Sequence, residues 1–135
     1  MRPHIFCGAL ALLVIGSSSA ASAQTAPDGK ALFAKNCAAC HQADGRGIPG
    51  AFPALAASAV VLGVAPEAAE VLLKGRGGMP AFSGSLDDSE IASVLSYARS
   101  SWGNRAAPVT GPEIEARRIA LGVAPPDRSR FGNKH

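Results

Sequence analysis

With 135 residues, 47% of them hydrophobic, the chain has material for one small domain and not for two. Its formal charge of +3 is modest, and no nucleic-acid partner is expected. The start reads as an export signal: Arg2 supplies the positive end, Ile5 to Gly16 is a short apolar run, and Ala21-Ser22-Ala23 gives a small-x-small cleavage pattern. Residues 1–23 are therefore expected to be removed, and Cys7 with them. The apolar run is shorter than the about 20 residues that span a bilayer, so no stable membrane span is expected after cleavage.

The mature chain divides at Gly103. Residues 24–103 carry the helical patterns, with six basic and seven acidic side chains; residues 104–135 are rich in Pro, Gly and Arg, with six basic against three acidic. The second part reads as a basic, partly disordered extension. Its Arg117, Arg118, Arg128 and Arg130 are candidates for steering a negatively charged partner. A solvated tail is the alternative.

The first helix is predicted to begin near Thr25, with Pro27 and Asp28 in its opening turn, and to run into Cys40. Gly29, Phe33 and Cys37 share one face of it, and Gly29 permits close approach of another helix. A second helix is predicted from Pro66 through Lys74, with Gly75 as its stop and Ala69, Leu72 and Leu73 turned inward. The third runs from Asp88 to about Ser101. Asp87 and Glu90 make a capping box, Ile91, Val94, Leu95 and Ala98 form the buried stripe, and Gly103 terminates it. A short helix in the extension starts at Thr110 and ends near Leu121. The fold class is all-α, and no segment reads as a strand.

Cys37-Ala38-Ala39-Cys40-His41 carries the chemistry. Two thiols and an imidazole at this spacing are the attachment signature of a c-type haem, each thiol forming a thioether and the histidine ligating the iron. One covalent haem per chain would also supply bulk to a core that has few aromatic residues and much alanine. The apoprotein is accordingly expected to be poorly folded or molten. Carriers with haem c commonly ligate iron from both faces, by histidine and methionine. Met79 is the one methionine after processing, in Gly75-Arg76-Gly77-Gly78-Met79-Pro80, where glycines permit tight turns and Pro80 stiffens the chain. A methionine filling a core gap is the plainer alternative, and His135 is a competing donor.

These residues together resemble a monohaem class I cytochrome c: Gly29-x-x-x-Phe33-x-x-x-Cys37-x-x-Cys40-His41, a Pro-containing loop, a late Met79-Pro80, and a closing helix with Tyr97. The resemblance covers about Asp28 to Gly103. It implies three main helices around one haem, with Gly29, Phe33 and Tyr97 where the first and last helices meet. Cys37, Cys40, His41 and Met79 would bind the haem. It also implies that the carbonyl of Pro53 accepts the hydrogen bond from the His41 ring, with Pro49 as rival. Asp44-Gly45-Arg46-Gly47-Ile48-Pro49-Gly50 and the ending Tyr97 to Asn104 are further similar to cytochrome domains serving periplasmic dehydrogenases. Such dehydrogenase cytochromes often carry several haems, and this chain has one CxxCH. Arg46 and Trp102 are candidates for contact with haem propionates, against a solvated loop charge and a packing residue.

The function implied is a periplasmic carrier of single electrons, not an enzyme. It would pass electrons between a dehydrogenase or quinol-oxidising complex and a terminal oxidase or reductase. The alternatives are a cytochrome subunit of a dehydrogenase complex, a haem enzyme or gas sensor with a displaceable Met79, and a thiol or zinc protein using Cys37 and Cys40.

Overall fold

Asp28 caps the first helix from outside it, its carboxylate accepting the amides of Lys30 and Ala31 at 2.9 and 3.2 Å. The structure, a computed structural model, describes residues 25–127. The expected signal segment, its cleavage point after Ala23, Arg128, Arg130 and His135 lie outside these residues. Among the described residues the chain is all-α, with six helices in chain order: α1 Gly29–Asn36, α2 Ala38–His41, α3 Ala59–Leu62, α4 Ala65–Lys74, α5 Asp88–Ser100 and α6 Gly111–Ala120.

The first helix is shorter than predicted at both ends. It starts one capping residue after Pro27, and it breaks at Cys37, whose backbone leaves the helical region (φ −123°) before α2 resumes. The break turns the Cys37–His41 segment into a one-turn helix of its own. The predicted α4 and α5 agree with the structure within a residue, and the Asp87–Glu90 capping box is complete. At the end of α5, Trp102 (φ +55°) makes the left-handed turn first and Gly103 follows at +86°, where sequence pattern placed the turn on the glycine alone.

α1 crosses α5 at Gly29. A Cβ built there would lie 2.2 Å from the carbonyl oxygen of Ser93 and 3.1 Å from Tyr97 Cβ, so only glycine allows this approach. One turn along, Phe33 packs on Tyr97 and Trp102, with ring centroids 5.4 and 5.0 Å apart. The rest of the core lies where α4, α5 and α6 meet and is built from Leu72, Leu73, Ile91, Leu95, Val109 and Ile114. Leu73, Ile91 and Ile114 are the largest of its fully buried side chains, each stabilising by about 1.5–3 kcal/mol.

Residues 104–121 are not an appendage, which corrects the division at Gly103. Asn104, Val109, Ile114 and Arg118 are buried, and α6 packs on both α4 and α5. The cause is polar as well as apolar. Asn104 bridges the carbonyls of Leu55 and Ala98 and accepts the amide of Ala57. Arg117 pairs with Glu70 on α4, and Arg118 reaches Asp88 at 2.7 Å. Two arginines expected to steer a partner thus serve as internal ties. α6, the short helix expected from Thr110, is part of the same core as the main helices.

Gly29→Ala is expected to destabilise the protein by about 1–3 kcal/mol through overpacking against Ser93. Thermal unfolding of the haem-loaded protein measures it. An unchanged midpoint would mean that α1 and α5 do not meet this closely.

Candidate haem site

The break at Cys37 places its thiol on the inner side, while Cys40 is half-buried and His41 is buried. Burial, and secondarily the neighbouring Cys40, push the Cys37 thiol up to about 11, so it is protonated at neutral pH until it reacts. The chain after His41 then folds back on itself. The Gly47 amide donates to the His41 carbonyl at 2.9 Å, Ile48 and Phe52 exchange two backbone bonds of 2.8 Å, and the Leu55 amide donates to Gly45 at 2.7 Å. This tight loop carries the Pro53 carbonyl to 2.9 Å from His41 Nδ1.

A carbonyl only accepts, so Nδ1 must hold the proton. Nε2 keeps its lone pair for a metal. The same loop is braced from α5. Trp102 lies over Gly45 and donates its indole N–H to the Ala43 carbonyl at 3.0 Å. Trp102 therefore packs on Phe33 of α1 and Tyr97 of α5. Arg46 is exposed and pairs loosely with Asp44 at 3.7 Å.

Met79 arrives from the segment after α4. Gly75 turns with φ +74°, Gly77 with φ +58°, and Arg76 and Met79 close the loop through reciprocal backbone bonds of 3.2 and 3.0 Å. Phe82 then donates its amide to the Leu72 carbonyl at 2.8 Å, which fixes the segment on α4. Met79 packs against the core while remaining partly accessible.

One cavity of ≈ 500 Å³ joins these groups. Cys37, Cys40, His41, Pro53 and Met79 all line it, and the remaining lining is mainly apolar, with Phe33, Leu72, Phe82, Val94 and Leu95 prominent. Its volume lies within the roughly 300–1,000 Å³ of cofactor and ligand pockets. Pro49 is not among its lining residues and the His41 bond goes to Pro53. Arg99 is a buried residue beside the cavity that sequence reasoning missed. Its guanidinium donates to the carbonyls of Val61, Gly63 and Ala107 at 2.6, 3.0 and 2.7 Å. By holding Val61, which lines the cavity, it stiffens one wall; only its place on the buried stripe, one residue after Ala98, hinted at this.

Residues 24–97 match the family model described as cytochrome c oxidase, cbb3-type, subunit III. The chain is 34% identical to cytochrome c-552 of Thermus thermophilus, over 70% of this chain and 71% of that protein. It is 44% identical to cytochrome c6 of Tetradesmus obliquus, over 51% of this chain and 82% of that one. A further relative is the cytochrome c subunit of a quinone alcohol dehydrogenase from Gluconacetobacter polyoxogenes, 35% identical over 55% of this chain. The chain spans about a fifth of that subunit, 18% of its length.

The chain belongs to the cytochrome c family, which implies haem c binding, and its features fit a monohaem class I member. The residues present fit that group. Two thiols at attachment spacing, an imidazole with Nε2 to spare and a thioether sulfur share one apolar cavity. This donor set suits an iron porphyrin, which an imidazole nitrogen and a thioether sulfur can ligate within an apolar surround.

Gly75→Ala is expected to displace the Met79 loop, since a Cβ there would lie 2.4 Å from the Met79 carbonyl and φ is positive. The cost should be about 1–3 kcal/mol in thermal unfolding. A variant as stable as the parent would show that the loop is not held in this turn.

Proposed function

We propose that the chain is an exported, periplasmic monohaem carrier, processed after Ala23. One haem c would be attached covalently through Cys37 and Cys40 and ligated by His41 and Met79. It moves single electrons between a dehydrogenase or quinol-oxidising complex and a terminal oxidase or reductase. When bound, the haem supplies one-electron ferric–ferrous chemistry. The observation that supports this reading best is the shared cavity lined by both thiols, the oriented imidazole and the only methionine after the expected cleavage.

The roles of the chain's own residues follow from the geometry. Pro53 holds the His41 proton on Nδ1, fixes the ring plane and raises the basicity of Nε2. The apolar lining would exclude water from a bound haem. Met79, tied into its loop on both sides, would hold the iron with its sulfur, and so fixed a donor would keep rearrangement on electron transfer small. Among the described residues no helix is long and apolar enough to cross a membrane.

A second reading is an electron-accepting cytochrome subunit of a dehydrogenase complex. It is favoured by the similarity to dehydrogenase cytochrome subunits, including that of alcohol dehydrogenase. A haem enzyme or gas sensor needs an open iron position, and Met79 in the cavity lining speaks against one.

Two experiments test the proposal. The secreted protein should have the mass of Gln24 to His135 plus one haem that acidic acetone does not extract, and Cys37→Ser with Cys40→Ser should abolish holoprotein. Residual signal sequence or extractable haem would overturn processing or attachment. The ferric protein should be low-spin with a weak far-red sulfur-to-iron band, and the ferrous protein should bind carbon monoxide slowly. Met79→Ala should remove the band, lower the potential and admit carbon monoxide. A parent protein that is already high-spin or binds carbon monoxide as fast as the variant excludes Met79 as a stable ligand.

A further inference from the structure

We propose that Arg118, on α6, is a positioning residue for the segment that carries Met79; this rests on the reading of Met79 as axial ligand. Arg118 is 3% exposed, among the most deeply buried charged groups described. Its Nε donates to Asp88 at 2.7 Å, one terminal nitrogen donates to the carbonyls of Ser83 and Ala124 at 3.0 and 2.9 Å, and the other to Leu86 at 3.2 Å. The planar fork of a guanidinium reaches all four acceptors at once, which an ammonium on a flexible stem does not.

The carbonyls it holds belong to the irregular stretch between Met79 and α5. After Phe82 is fixed to Leu72 on α4, the Ser85 and Leu86 amides turn back on Phe82. The chain there has no helix or strand to satisfy Ser83 and Leu86, and Arg118 supplies their donors. Met79 is thus suspended between the glycine turn at Gly75 and a downstream anchor whose outer tie comes from α6. Removing Arg118 leaves the buried Leu86 carbonyl, the half-buried Ser83 carbonyl and the Asp88 carboxylate without these donors. The segment then relaxes toward solvent, and the sulfur is the group it carries away from the cavity.

The test uses the haem-loaded protein and compares Arg118→Gln and Arg118→Lys with Tyr97→Leu. Tyr97 packs on Phe33 and Trp102, does not line the cavity, and so supplies a destabilised control. Both Arg118 variants should keep helical circular dichroism, weaken the ferric sulfur-to-iron band, and bind carbon monoxide faster. The increase for glutamine should be on the order of tenfold, the factor that ~1.4 kcal/mol makes in an equilibrium; lysine, which retains charge toward Asp88, should fall between. Where glutamine prevents accumulation, the lysine variant and Asp88→Asn carry the comparison, each expected to shift the band and the rate in the same direction. Unchanged band and carbon monoxide rate in variants that are measurably destabilised would overturn the proposal. So would a Tyr97→Leu control that loses the band equally. A parent protein without the band instead overturns Met79 as ligand, and this assignment with it, before any Arg118 variant is made.

Discussion

The close crossing of α1 over α5 at Gly29 sets the geometry on which the rest depends. With the Ser93 carbonyl 2.2 Å from where a Cβ would lie, the two helices touch backbone to backbone. That contact lets Phe33 reach the Tyr97 and Trp102 rings and fixes the register at which Cys37 points inward. Everything on the attachment side is then determined locally. The helix breaks at Cys37, α2 makes one turn, and His41 sits where the folded-back loop brings a carbonyl to its Nδ1. Trp102 closes the circuit by bracing that loop from the far end of α5.

Irregular backbone around a cavity needs donors and acceptors from somewhere, because buried peptide groups are costly when unpaired. In this chain much of the supply comes from the C-terminal third. Arg99 and Asn104 bind the carbonyls of Leu55, Val61 and Gly63, and Arg118 binds those of Ser83 and Leu86. Hydrogen bonds from charged donors contribute about 1.5–3 kcal/mol each, roughly twice a neutral one, so two arginines with Asn104 are enough to convert loops into walls. Arg99 differs from Arg118 in that its side-chain hydrogen bonds go to carbonyls. Several backbone dipoles solvate this buried guanidinium in place of water, and Glu113 feels its charge.

What could be read from sequence and what could not divides along physical lines. Periodic stripes and caps are local, so α4 and α5 emerged with their ends nearly right, and the Asp87–Glu90 box was visible as two residues three apart. Helix α1 misled because Pro27 and Asp28 fit a first turn as well as a preceding cap, and because nothing in the spacing of Cys37 announces a break. The extension misled more. Its Pro, Gly and Arg content reads as solvated chain, yet Val109 and Ile114 lack a long stripe only because they dock on a surface already made by α4 and α5. A buried arginine leaves no pattern of its own: Arg117 and Arg118 are adjacent basic residues whose partners, Glu70 and Asp88, lie 47 and 30 positions away. The donor set was legible as residue types, whereas the loop that brings Pro53 to His41 depends on Gly45, Gly47, Ile48 and Phe52 acting together.

The two axial candidates are held by different kinds of constraint, and this bears on what the iron site can do. His41 is fixed by its own hydrogen bond and by a loop hydrogen-bonded to itself at several points. Met79 has no polar handle on its sulfur and is placed solely by the backbone on either side. A thioether is a weak donor, so its hold on a metal depends on how little freedom that backbone retains. A loose loop would make the position exchangeable and favour chemistry at an open iron; a loop tied to α4 at Phe82 and to α6 through Ser83 would make it permanent. The difference between a carrier and a haem enzyme built on this fold therefore lies outside the cavity, in the ties that limit the Met79 segment.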